Sequence, residues 1–224
     1  MTNSRGGAVL LDADGTLVDS NYLHVDAWSR ALADVGHPVD AWRIHRCIGM
    51  GSELLVRELL GDAARAVGDR VREIHSDLYG RTADRLRRLD GVPELVRALR
   101  ERGQRVVVST SASPSELRHI KEVLDVDVDG ITAAADVEDP KPAPDLVRAA
   151  LEEAGVRAEH AVFVGDSVWD VKSCAGAGVP CVGVLTGGIS AGELTDAGAV
   201  AVYRSVAELH DHLDDSPLAQ LWTR

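Results

Sequence analysis

The stretch Val9-Leu10-Leu11-Asp12-Ala13-Asp14-Gly15-Thr16-Leu17-Val18-Asp19 decides how this chain reads. Three large apolar residues run into two carboxylates two positions apart, and a glycine follows at once. In an extended strand, residues i and i+2 point to the same side. Asp12 and Asp14 are therefore expected as near neighbours, and like charges so placed repel unless a cation or a shared proton lies between them. Burying an unpaired carboxylate costs on the order of several kcal/mol. A strand tip carrying two of them implies use, and a hard, oxygen-seeking divalent ion such as Mg2+ is the natural companion.

At 224 residues the chain has room for one α/β domain plus a small appendage. Hydrophobic residues make up 45% and aromatic ones only 4%, so a core is available and must be mostly Val, Leu and Ala. A formal net charge of −12 argues against nucleic acid or an anionic membrane surface as a partner. An anionic small substrate stays compatible, because a bound metal reverses the local field. Cys47, Cys174 and Cys181 have no Cys-x-x-Cys spacing, which points to a reduced, cytoplasmic protein rather than a disulfide framework or a zinc site. The polar start, residues 1–7, has no apolar run of signal-peptide length, and no stretch approaches the ~18–20 apolar residues of a membrane span.

Residues 8–12 read as a buried strand. From 22 to 88 no strand is predicted, and apolar residues recur at helical spacing over 22–35, 41–47, 52–60 and 64–86. Gly36-His37-Pro38, Ile48-Gly49-Met50-Gly51 and Gly61 break these helices. A strand-free stretch this long implies a separate small bundle. After Asp90-Gly91 the pattern alternates, with helices over 93–101, 114–124, 144–154, 169–177 and 206–213, and strands over 105–109, 130–134, 161–164, 180–185 and 199–203. That alternation is the mark of an α/β fold with a doubly wound parallel sheet, in which ligands bind beyond the carboxyl ends of the strands.

Those ends carry Asp12 and Asp14, then Ser109-Thr110-Ser111, then the loop with Pro140-Lys141-Pro142, then Gly165-Asp166-Ser167-Val168-Trp169-Asp170. Each has a plain reading when taken alone. Asp12 and Asp14 could belong to a capped turn, and the hydroxyl cluster could serve as a helix N-cap. Lys141 could lie on the surface, Asp166 could cap a helix, and Asp170 could sit on a solvated face. Their shared topological position makes them a site for a metal and a phosphate.

In the same order and spacing, Asp12-Ala13-Asp14-Gly15-Thr16, Thr110, Lys141-Pro142 and Gly165-Asp166-Ser167-x-x-Asp170 resemble the four motifs of the haloacid dehalogenase superfamily. The helical block resembles the small cap of its phosphoglycolate phosphatase and β-phosphoglucomutase-like group, with Tyr22 to Trp28 and 48–52 as landmarks. The resemblance implies a Rossmann-like core over 1–19 and 89–224 and a cap over 20–88. It implies that Asp12 is the nucleophile, forming an aspartyl-phosphate, and that Asp14 is general acid and then base. Asp12, the main-chain carbonyl of Asp14, Asp166 and Asp170 would serve Mg2+. Thr110, with Ser109 as rival, and Lys141 would hold the phosphoryl group. Gly15, Ser109, Ser111, His24 and Ser52 are expected around the substrate. Ala13 departs from the larger apolar residue usual there, which bears on packing.

Within that family an acid at position 14 favours an alkoxide leaving group over halide. No lysine lies between Ser20 and Arg88, which argues against Schiff-base phosphonate cleavage. Hydrolysis of a small phosphorylated metabolite is the expected function, by a monomer or weak dimer. The first alternative is a β-phosphoglucomutase-like transfer, disfavoured because Ser52 stands where the mutases carry a phosphate-gripping arginine. The second is a catalytically silent phosphate-binding regulator, disfavoured because Asp12, Asp14, Lys141 and Asp166 are all present. Hinges are expected at 15–20 and 89–92, and specificity around His24, 48–52 and Tyr79. Leu218, Leu221 and Trp222 are expected to pack on the core or on a neighbour.

Overall fold

Four consecutive buried apolar residues, Ala8–Leu11, form the first strand (β1), and burial on both faces is what the middle of a parallel sheet demands. The computed structural model describes residues 6–222. The polar start at 1–5 and the last two residues lie outside the described residues. Val18–Asp19 (β2) leads into Asn21–Asp34 (α1), Ala41–Cys47 (α2), Ser52–Leu60 (α3) and Ala64–Gly80 (α4), and Arg87–Arg88 (β3) leads out. Then come Val92–Glu101 (α5), Arg105–Ser109 (β4), Pro114–Leu124 (α6), Gly130–Thr132 (β5), Asp145–Ala154 (α7) and Ala161–Gly165 (β6). Val168–Ala177 (α8), Cys181–Val184 (β7), Ala191–Ala197 (α9), Ala201–Tyr203 (β8) and Val206–Asp211 (α10) complete the chain.

Among the described residues the main sheet has six parallel strands in the order β5-β4-β1-β6-β7-β8. Strand alternation divides its side chains between two cores. Val9, Leu11, Val106, Val108, Val162 and Val164 face α5, α6 and α10, while Leu10, Val107 and Phe163 face α7, α8 and α9. Helices on both faces make the sheet doubly wound, as the alternating pattern predicts. A third core, with Val25, Trp28, Leu32, Ile44, Leu55 and Val71, lies among α1 to α4.

Three departures from the sequence reading have local causes. The helix expected over 64–86 stops at Gly80, because Arg87–Arg88 pairs antiparallel with Val18–Asp19. The Leu89 amide also donates to the Leu17 carbonyl at 2.9 Å, so the two chain crossings are tied to each other. The strand expected over 130–134 ends at Thr132, where the Asp136 carboxylate accepts from the Ala133 amide and turns the chain. Helix α9 was not anticipated, since Leu194 is its one buried apolar residue and leaves no periodicity to read. Its Ser190–Glu193 capping box was the available signal.

Leu218 is buried, and Leu221 and Trp222 pack against the first core. The three cysteines are free and buried. No helix among the described residues is long and apolar enough to cross a membrane. Leu10 sits at the centre of the sheet between Val107 and Phe163. Leu10→Ala is expected to lower the unfolding free energy by about 2–5 kcal/mol in urea titrations.

Candidate active site

Three strand ends and one loop converge on the ammonium of Lys141, which is 1% exposed. Its Nζ lies 2.5 Å from Asp12 Oδ1, 2.7 Å from Asp170 Oδ1 and 3.3 Å from the Ser109 carbonyl. Burial opposes its charge, but Asp12 and Asp170 outweigh burial and hold its pKa above the ordinary lysine value. Asp166 completes the group, receiving the Thr16 hydroxyl at 3.1 Å and the Asn21 amide at 2.9 Å. Asp170 is fixed from behind by the Ser167 amide and hydroxyl, at 3.0 and 2.7 Å.

Carboxylate oxygens of Asp12, Asp166 and Asp170 lie within 4.8 Å of one another, all buried. Against these three acids stands one ammonium. Burial and the nearby Asp170 push Asp166 up to about 7. Burial, with Asp170 and Asp166, raises Asp12 well above the usual carboxylate range although Lys141 pulls it down. A hard divalent cation suits this donor set, and so does the backbone around it. A Cβ at Gly187 or Gly15 would run into the Asp166 carboxylate, and one at Gly165 would come within 2.6 Å of the Asp170 carboxyl carbon. Gly15 also holds a φ of +75°.

The Asp14 carboxylate is not in this group, which corrects the expectation of a cation shared between the Asp12 and Asp14 side chains. It turns to the Ser20 hydroxyl at 2.5 Å and to His24 Nε2 at 3.4 Å. Burial raises its pKa, but the His24 and Ser20 contacts outweigh burial and the net direction is down. His24 shifts up in turn, burial opposing and Asp14 prevailing. His24 Nδ1 faces His75 Nε2 at 3.1 Å, and His75 Nδ1 lies 3.7 Å from Glu116 Oε1. Tyr79 stacks on His24 and Trp28 on His75, with centroids 3.9 and 3.8 Å apart. His24, His75 and Glu116 also bring ligating atoms within 4.8 Å of one another. Each imidazole nitrogen there already faces a protein partner, with the His24–His75 hydrogen bond linking the trio and Glu116 close to His75 without bonding it.

The expected phosphoryl-binding hydroxyl needs a second correction. Thr110 is fully buried and its Oγ1 accepts from the Ala112 amide at 3.1 Å, so it does not reach the cleft. Ser109 Oγ donates to the Leu146 carbonyl beneath the sheet. Ser111 has the strand parity of Asp12 and Asp14 and lines the cavity. His24 and Ser52 line it as well, whereas Gly15 and Tyr79 do not. Gly15 instead makes room for Asp166, and Tyr79 backs His24. The sequence reading missed Thr16, Asn21, His75 and Glu116. Only Glu116 had a local signal, the Ser113-x-x-Glu116 capping box.

The insert lies closed over this cleft. The Ser111 hydroxyl donates to the Gly49 carbonyl at 3.4 Å, the Gly51 amide to the Lys141 carbonyl at 3.4 Å, and the Trp169 indole to the Arg46 carbonyl at 3.1 Å. Arg46 pairs with Glu193, and His45 donates to the Gly187 carbonyl. The remaining cavity measures about 60 Å³.

The haloacid dehalogenase-like hydrolase family model matches residues 7–178. A phosphoglycolate phosphatase of Rhodospirillum rubrum is 34% identical, over 92% of this chain and 90% of its own. A plasmid-borne phosphoglycolate phosphatase of Cupriavidus necator is 33% identical, over 95% of each chain. The crystal structure of a hydrolase from Pseudomonas syringae superposes with a TM-score of 0.90 at 33% identity, covering 94% of this chain and 98% of that one.

Removing Lys141 would leave Asp12 and Asp170 buried without a counter-charge. Lys141→Met is expected to cost about 3–5 kcal/mol at neutral pH in urea unfolding without divalent ions.

Proposed function

The chain belongs to the haloacid dehalogenase-like hydrolases, and on that premise we propose that it is a magnesium-dependent phosphomonoesterase whose Asp12 takes the phosphoryl group. It is a phosphatase of a small phosphorylated metabolite, as its family and relatives show. The observation that carries the proposed chemistry is the division of labour between two aspartates. Asp12 belongs to the buried acid–ammonium group, while Asp14 is held apart on a histidine at the cleft wall.

Asp12, Asp166 and Asp170 would hold Mg2+, with the Asp14 main-chain carbonyl in support. When bound, the ion lowers the pKa values of its carboxylates and offsets charge on the phosphoryl oxygens. An Asp12 oxygen attacks phosphorus as the bond to the ester oxygen breaks, and Asp14, sharing a proton with His24, protonates the departing alcohol. Lys141 and the Ser111 hydroxyl offer donors to the phosphoryl group, Ser111 taking the role expected of Thr110. Asp14 then accepts a proton from the water that attacks the aspartyl-phosphate, which restores Asp12 and releases phosphate.

We read residues 20–88 as the cap and 1–19 with 89–224 as the core. The separate apolar core of α1 to α4 and the paired crossings support this division. The mutase alternative lacks support, because among the described residues no arginine or lysine lines the cavity to grip a second phosphate.

Asp12→Asn is expected to reduce phosphate release about 10³-fold or more while the circular dichroism spectrum is kept. Chelation by EDTA is expected to stop release and added Mg2+ to restore it. Asp14→Asn is expected to lower kcat/KM for an alkyl phosphate about 10²-fold more than for acetyl phosphate, whose leaving group needs no proton.

A further inference from the structure

We propose that the cleft selects a small phosphate ester whose leaving alcohol carries no second negative charge, and that Glu116 enforces the choice. The inference rests on the phosphomonoesterase reading and concerns the part of the substrate beyond phosphorus. A cavity of about 60 Å³ lies under the insert, beside Asp12 and Asp14. Trp28, Ile48, Met50 and Leu55 give it an apolar part of its lining.

The charged groups that reach the cavity are one-sided. Asp12, Asp14 and Glu116 line it, and among the described residues no arginine or lysine does. The Lys141 ammonium lies between Asp12 and Asp170 and does not line the cavity. His24 faces Asp14. His75 offers no compensating charge, since burial and the nearby His24 hold its pKa well below the ordinary histidine value.

Glu116 is held in place by its own helix. Its Oε2 accepts from the Ser113 amide at 2.6 Å, and it occupies the first turn of the eleven-residue helix α6, where an anion is stabilised. Its Oε1 has only His75, at 3.7 Å, and so keeps acceptor capacity. A hydroxyl or amide on the alcohol can donate to that oxygen. A carboxylate there meets the like charge of Glu116 and Asp14, with no arginine or lysine among the described lining residues to offset it. Phosphoglycolate, for which two relatives are named, carries such a carboxylate.

The test compares 2-phosphoglycolate with its isosteric amide, 2-phosphoglycolamide, on the full chain with Mg2+, using phosphate release to obtain kcat/KM. The wild type is expected to favour the amide by about tenfold or more. Glu116→Gln keeps an oxygen for the Ser113 amide, and it is expected to shrink that preference about fivefold or more. A merely structural Glu116 would lower both substrates alike and leave the ratio unmoved. An unmoved ratio overturns the inference, and so does a wild type that favours 2-phosphoglycolate. Hydrolysis of acetyl phosphate but of neither test ester also overturns it, with the phosphatase reading intact. No release from any of the three removes the phosphatase reading and this inference with it.

Discussion

A single buried ammonium organises this molecule. Lys141 reaches from a loop into the space where β1, β4 and β6 end, and there it meets Asp12, Asp170 and the Ser109 carbonyl. Desolvating such charges is costly, and packing alone would be served better by apolar residues. The parallel sheet makes the arrangement possible. Its strands are buried on both faces and deliver side chains of fixed parity to one edge. With three carboxylates around one ammonium, the protein holds an excess of negative charge that a divalent cation would offset.

The surrounding residues keep that excess in place. Thr16 and Asn21 fix Asp166, Ser167 fixes Asp170, and Gly15, Gly165 and Gly187 leave the space their carboxylates occupy. The proton-handling group is kept separate. Asp14 leans on Ser20 and on a histidine backed by the stacked rings of the insert. In the proposed mechanism phosphoryl binding belongs to the carboxyl ends of the strands, and recognition of the alcohol to the insert and to Glu116.

Much of this was legible before the structure. The bounds 41–47, 52–60, 105–109 and 114–124 were read as they stand, because glycine breaks, valine runs and a Ser113 cap mark them locally. Asp12, Lys141, Asp166 and Asp170 could be found because strand ends of a parallel sheet converge whatever the loops do. Between Thr110 and its rival Ser109 the sequence could not decide, and it gave Ser111 only a place near the substrate, because side-chain parity at a strand end depends on where the pleat stops. His75 and Glu116 were missed because they meet only when α4 packs against α6. Arg87–Arg88 was invisible as a strand since two charged residues carry no alternation, and only the return of the chain beside Val18–Asp19 gives them a partner.

The most direct measurement traps the covalent species. The chain is mixed rapidly with acetyl phosphate and Mg2+ and quenched with borohydride, which reduces an aspartyl-phosphate to homoserine, and its peptides are then read by mass spectrometry. Homoserine at position 12 is the expected result. An unmodified Asp12 in a sample that is turning over, or homoserine at a different aspartate, contradicts the assignment of the nucleophile.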